Sequence, residues 1–302
     1  MKLGVWIALM AGPVFAQDAA PVLVQPYGRA NVIAKTAYAR PGGVLGVEVK
    51  NGRWRSATLL FDGHRGALGS EGGGLSGLVP IPLDTEPAEH KLTLYFPGNR
   101  RTGGAVALRV PVTPGARPVR GRTLPPEAIA QLSSPTALGH ARFLLRAIRT
   151  RESRLFETRP LIAPVSAPVS FGFGGREDYG MSLGPVRDGL LGEHHRGVDY
   201  DVPVGTPVKA PGAGVVVLAR SLLFTGETVV INHGRGIVSV LSNLNHVNVA
   251  EGDTVSQGTV VGVSGRSGLG ALTPHLCFAV YINAINVDPE ALMDTSLWPT
   301  AR

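Results

Sequence analysis

Short apolar runs broken by Gly, Pro and Asp dominate residues 21 to 112. The strand candidates are 44–49, 56–61 (closed by Asp62-Gly63), 78–81, 91–96 and 105–112. Several short strands with turn signals between them predict a small β-sandwich. Residues 113–125 are rich in Pro, Gly and Arg and read as a linker. The period then changes: Ala128, Leu132, Leu138, Phe143, Leu144, Leu145 and Ile148 recur at roughly helical spacing. Pro135 and Gly139 are expected to split this stretch into two helical pieces. From about Leu155 to Trp298 β-branched runs return at 205–208, 214–218, 227–232, 236–240, 254–255, 260–263 and 276–282. They are too rich in β-branched residues, and too closely bounded by Gly, to be helices.

The N-terminus reads as a signal peptide. Lys2 supplies a thin positive start, residues 3–15 are apolar, and Val14-Phe15-Ala16 offers a cleavage site before Gln17. No cysteine stands at the end of this apolar stretch, so lipoprotein anchoring is not expected, and no other segment approaches membrane-spanning length. Stable membrane insertion after cleavage is therefore not expected, and the place of action is the periplasm, cell envelope or exterior. The expected organisation is signal peptide 1–16, β-sandwich-like domain 17–112, helix-containing linker 113–154 and β-sheet domain 155–298.

Composition adds two constraints. The chain of 302 residues has 40 Gly and 24 Pro beside 44% hydrophobic residues, which fits many tight turns around true cores. Its net charge of +7 favours polyanionic surroundings. No aromatic-plus-basic recognition motif points to nucleic acid, so anionic cell wall is the preferred partner. A positive charge that serves solubility alone explains the same number. Oligomeric state is not legible.

Two spacings carry candidate chemistry. His195 and Asp199 stand four apart in a Gly-containing segment, and His275 and Cys277 stand at i and i+2 of a strand, which projects them to one face. His, Asp and Cys are all zinc ligands, and a catalytic zinc takes three protein ligands and an open position. Each spacing alone is common. Cys277 is the single cysteine, so it is free, metal-bound or intermolecularly paired. His64 and His90 are isolated and read as surface or turn residues.

An ordered set of marks from residue 160 to 292 resembles the lysostaphin/LytM-type peptidases, family M23. They are Ser170-Phe171-Gly172 with Arg176, His195-x-Gly197-x-Asp199, Gly205-Thr206-Pro207-Val208, Asn232-His233-Gly234, Glu251-Gly252-Asp253, Gly265-Arg266-Ser267-Gly268, Pro274-His275-Leu276 and Asn286-Val287-Asp288-Pro289. Pro41-Gly42-Gly43 and Ile81-Pro82-Leu83-Asp84 resemble the β domain that precedes the peptidase in some exported members. The resemblance implies a mostly β protein whose C-terminal half is an antiparallel LytM-like (duplicated-hybrid-motif-like) sheet domain with one Zn2+ on a groove floor. Loops 181–184 and 222–225 would form the walls.

Carried over residue by residue, His195 and Asp199 take two ligand positions and His275 the base position. Cys277 stands where the third ligand is His in the family. Asn243, in Leu241-Ser242-Asn243-Leu244, stands where a second flanking His is expected. A thiolate still binds zinc, and an amide N–H still steadies an oxyanion but shuttles no proton. His194 and His246 are expected to face away from the site. The Gly content of 265–268 is expected to serve turn geometry. Three functions follow. The first is an exported zinc endopeptidase acting on peptidoglycan peptides. The second is a degenerate member that binds peptidoglycan or regulates another hydrolase. The third, least supported, is a carbohydrate-binding or adhesion protein.

Overall fold

The structure is a computed structural model that describes residues 22–36, 39–71, 73–98, 104–121, 126–132, 134–152, 156, 160–178, 194–269 and 271–298. The expected signal peptide and the 181–184 loop lie outside the described residues.

Eight strands form the N-terminal part: β1 (Val22–Tyr27), β2 (Ala30–Lys35), β3 (Val44–Lys50), β4 (Ala57–Phe61), β5 (His64–Glu71), β6 (Gly74–Pro80), β7 (Glu89–Phe96) and β8 (Gly104–Pro111). They pair in the order β1-β2-β3-β6-β5-β4-β7-β8, every pair antiparallel. The path folds over one core that holds Leu45, Leu59, Phe61, Leu92 and Leu94, so the layers are sandwich-like. Alternation shows best in β8, where Val106, Leu108 and Val110 are buried and their neighbours exposed. Strands β1, β2 and β5 were not anticipated. β5 carries Gly66 and Gly69, which blur its two-residue period.

Strand β9 (Val119–Gly121) lies inside the segment expected to be linker. Helices α1 (Pro126–Leu132) and α2 (Pro135–Ile148) follow. The break falls at Ser134-Pro135, where Ser134 caps α2 by accepting from the Ala137 N–H at 3.1 Å. Gly139 does not split the helix as expected; it sits inside α2. A glycine costs a helix only about 1 kcal/mol, and packing of Leu144, Ala147 and Ile148 outweighs that.

The C-terminal part contains β10 (Arg176–Asp178), β11 (Val198–Tyr200), β12 (Pro207–Lys209), β13 (Gly214–Leu222), β14 (Gly226–Gly234), β15 (Ile237–Val247), β16 (Thr254–Val255), β17 (Val260–Ser264), β18 (Leu276–Ile282) and β19 (Ile285–Val287). Its main sheet runs β11-β18-β15-β14-β13-β16, with β17 joining β15 to β12 and β19 on β18. β9 and β10 pair separately and in parallel.

The sheet has two faces. Leu241, Leu276, Phe278 and Val280 point into the larger core. Val238, Val240, Ala279 and Tyr281 point the other way, toward α2. On that second face α2 covers one end and the candidate site occupies the other. His140 of α2 accepts the Leu223 N–H at 2.8 Å, which ties the helix to the loop that walls the site. A cavity of about 520 Å³ lies elsewhere, between the two sheets, and is lined by Leu68, Leu78, Arg235, Ile237 and Trp298. None of the candidate site residues lines it.

Candidate metal centre

Asp199 in β11 lies directly opposite Cys277 in β18, and Ser242 in β15 lies opposite Cys277 from the other side. Directly opposed residues share a face, so the register projects Asp199 and Cys277 together. His195 precedes β11 by a tight turn through Gly197. A Cβ on Gly197 would sit 2.5 Å from the Phe278 carbonyl oxygen. Glycine therefore lets the turn press against β18, which brings His195 over Asp199.

The three side chains converge. His195 Nε2 lies 3.0 Å from Asp199 Oδ1 and 3.6 Å from Cys277 Sγ. One ligand atom from each lies within 4.8 Å of the others. His195 Nδ1 faces the Gly172 carbonyl at 3.3 Å, and a carbonyl only accepts, so Nδ1 carries the proton. In the neutral ring Nε2 then turns a lone pair toward Asp199 Oδ1. That oxygen is buried and makes no hydrogen bond. Two lone pairs facing each other in a buried site repel unless a cation or proton lies between them. This donor set, one imidazole, one carboxylate and one thiol around a common point, fits a zinc ion.

Electrostatics agree with a cation-binding arrangement. Burial alone would lower the pKa of His195, but Asp199 and Cys277 beside it outweigh that and hold it well above the usual imidazole range. Burial alone would raise Asp199, but His195, His275 and Arg120 hold it well below the usual carboxylate range. Burial, helped by Asp199, pushes the Cys277 thiol up, while His195 offsets part of this.

His275 stands one residue before β18, and its Nε2 is 3.9 Å from Asp199 Oδ1. Its Nδ1 donates to the Thr273 carbonyl at 2.8 Å, which leaves Nε2 as the acceptor of the neutral ring. The Asn243 side-chain amide donates to that nitrogen at 2.7 Å. Asn243 arrives there through a β-bulge. Between β14 and β15 the pairs Val229↔Leu241 and Glu227↔Leu244 leave Ser242 and Asn243 opposite Thr228 alone. Asn243 has φ +62°, a left-handed conformation that Asn tolerates better than most residues. The bulge turns Ser242 and Asn243 toward the open face before Leu244 returns to the core.

The walls are glycine-dependent. Asn243 N–H donates to Thr225 O at 2.8 Å, which places the 222–225 loop against the site. A Cβ on Gly268 would lie 2.5 Å from Asn243 Oδ1, and one on Gly265 would lie 2.5 Å from Asn245 N. Neither glycine has a positive φ. Close approach, rather than the turn geometry expected, is what requires them. His246 is exposed, and His194 turns Nδ1 to the Gly174 carbonyl at 3.2 Å. His64 is exposed, and His90 pairs with Asp62 at 2.6 Å.

Sequence reasoning missed Arg120. Its Nη2 donates to Asp199 Oδ2 at 2.9 Å, and its guanidinium lies 3.8 Å from the Phe171 ring centroid. It belongs to β9, in a segment whose composition signals only a tether. Phe171, quoted for its resemblance alone, bridges to Asp199 in backbone pairing and packs beside the His195 ring.

His195, Asp199 and Cys277 thus form a cluster that could hold a metal ion on an antiparallel sheet, with His275 beside it. Residues 193–289 match the model for peptidase family M23. Over 88 residues the chain is 38% identical to the peptidoglycan DD-endopeptidase ShyA of Vibrio cholerae, which covers 29% of this chain and 20% of that protein. Over 99 residues it is 37% identical to ShyC of the same organism, a peptidoglycan DD-endopeptidase, across 32% of this chain and 22% of that one. The alignments thus span about a fifth of each relative's length. A crystal structure assigned to peptidase M23 from Pseudomonas aeruginosa superposes with TM-score 0.63 at 26% identity, covering 85% of this chain and 95% of that one. The N-terminal β domain is thus part of the shared architecture.

Proposed function

We propose that the protein is an exported zinc metalloendopeptidase that hydrolyses peptide cross-links of peptidoglycan. The convergence of His195 Nε2, Asp199 Oδ1 and Cys277 Sγ on the M23 frame carries this reading. These three would hold Zn2+, which supplies Lewis acidity toward a scissile carbonyl and an attacking water. His275 acts as the base: its fixed tautomer makes Nε2 the nitrogen that takes a proton, once the Asn243 amide releases it. Asn243 orients that imidazole and offers its amide N–H to developing negative charge. The basic net charge favours the anionic envelope. Residues 1–16 direct export, 17–112 form the accessory β domain, 113–154 connect the two parts and 155–298 form the peptidase domain.

One observation favours a second reading, a LytM-like domain that binds wall peptides or regulates another hydrolase without cutting. The Asn243 N–H already engages the lone pair that the base would use. The two readings separate on purified mature protein loaded with zinc and incubated with sacculi. Release of peptide fragments that stops on chelation supports the enzyme. Intact sacculi in the presence of stoichiometric zinc reject it in favour of the binding reading.

A further inference from the structure

We infer that Arg120 is a positioning residue of the metal centre, supplied from outside the domain that carries the ligands. The inference rests on the zinc-site reading above. Arg120 lies 79 positions before Asp199 and outside the 193–289 match. It approaches the carboxylate from the side opposite His195: Oδ2 takes the guanidinium at 2.9 Å while Oδ1 faces His195 Nε2 at 3.0 Å. One oxygen is thus held so that the other stays aimed at the ligand cluster. Asp199 is buried and its side chain is 3% exposed, so its second oxygen has little water to turn to.

The arginine is itself held in place. The Arg176 N–H donates to Pro118 O at 2.7 Å, and β9 runs parallel to β10 with Arg120 opposite Glu177. Its guanidinium lies over Phe171, whose other neighbour is the His195 ring with centroids 5.2 Å apart. Phe171 O accepts the Asp199 N–H at 2.9 Å. Arg120, Phe171 and His195 therefore form one packed column beside the carboxylate. Such outer partners fix ligand orientation in metal sites generally.

The test uses the full mature chain as wild type, Arg120→Gln and Arg120→Lys. Zinc affinity is measured by competition with a chromophoric chelator, and ligand geometry by the visible absorption of the cobalt-substituted forms. The expected result is a zinc affinity about 10–100-fold weaker in R120Q with an altered cobalt spectrum, and R120K between the two. Lys keeps the charge but loses the flat stack on Phe171. An R120Q protein with unchanged or tighter zinc binding and an unchanged cobalt spectrum overturns the inference. Should R120Q fail to fold by circular dichroism, R120K decides: a smaller but measurable loss supports it, and wild-type affinity and spectrum overturn it. Wild-type protein that binds no zinc overturns the metal-site reading as well, whereas zinc-loaded wild type with an indifferent R120Q overturns this inference alone.

Discussion

The Asn243 side-chain amide and His275 Nε2 are 2.7 Å apart, and the Thr273 carbonyl fixes which His275 nitrogen accepts. A base whose lone pair is already hydrogen-bonded must give up that bond to take a proton. Asn243→His puts a titratable ring at the same bulge, where φ +62° is also accessible to His. The expected outcome is a rise in kcat on a cross-linked muropeptide dimer of at least about tenfold, since a positioned acid-base group contributes about 10²–10⁴-fold. KM should change little. Identical kcat in N243H and wild type would show that position 243 takes no part in the proton transfers.

Cys277 gives a second prediction through proton release. Without a cation, burial keeps the thiol protonated and the Asp199 carboxylate keeps His195 protonated. Zinc requires both ligands deprotonated, so loading at neutral pH should release about two protons per ion. Titration of zinc into weakly buffered protein with a pH indicator measures this. Cys277→Ala should lose both the thiol's proton and near-stoichiometric zinc. Proton release that is the same in C277A and wild type would remove Cys277 from the ligand set.

Much of the C-terminal sheet was legible because Val- and Ile-rich runs bounded by Gly can only be buried strands. Alternation also put His275 and Cys277 on one face, while Phe278 between Cys277 and Ala279 filled the core. What alternation cannot show is register. That Asp199 opposes Cys277 depends on strands 78 positions apart in the chain, and nothing local specifies it. The bulge that aims Asn243 was equally hidden, because an extra residue reads as ordinary strand. Arg120 was the largest omission: its Pro- and Gly-rich surroundings have no period, and its partners Asp199 and Phe171 lie far along the chain. Beside it, β9 holds only three residues and gains its pairing from β10.

His233 predicts a pH dependence of stability that is separate from the site. Its ring is buried, donates from Nδ1 to the Ala213 carbonyl at 2.8 Å and accepts the Ser239 hydroxyl at Nε2, 2.9 Å away. Both nitrogens are satisfied in the neutral ring, and burial pushes the pKa down to about 4. The folded value lies below the unfolded one of about 6.5. The unfolded chain therefore binds the extra proton as pH falls between these values, and stability drops by about 3 kcal/mol across that window. Above about pH 6.5 the contribution is complete. Urea unfolding at a series of pH values should show this slope in wild type and a flatter one in His233→Gln. Parallel slopes in both proteins would assign the acid sensitivity to other groups.

Gly197 offers a test of how the first ligand is placed. Its φ is not in the left-handed region, so alanine is not excluded by backbone conformation. The obstacle is contact: an added Cβ would stand 2.5 Å from Phe278 O and 3.2 Å from the Ala279 Cβ. Phe278 is fully buried in the core and its carbonyl belongs to the sheet, so neither can retreat cheaply. The turn must lift instead, and His195 lifts with it. Gly197→Ala should cost about 1–3 kcal/mol in urea unfolding of the zinc-free protein. It should also weaken zinc binding, because a displaced Nε2 no longer meets Asp199 Oδ1 and Cys277 Sγ at one point. Loss of stability with unchanged zinc affinity would mean that His195 reaches the cluster independently of the turn.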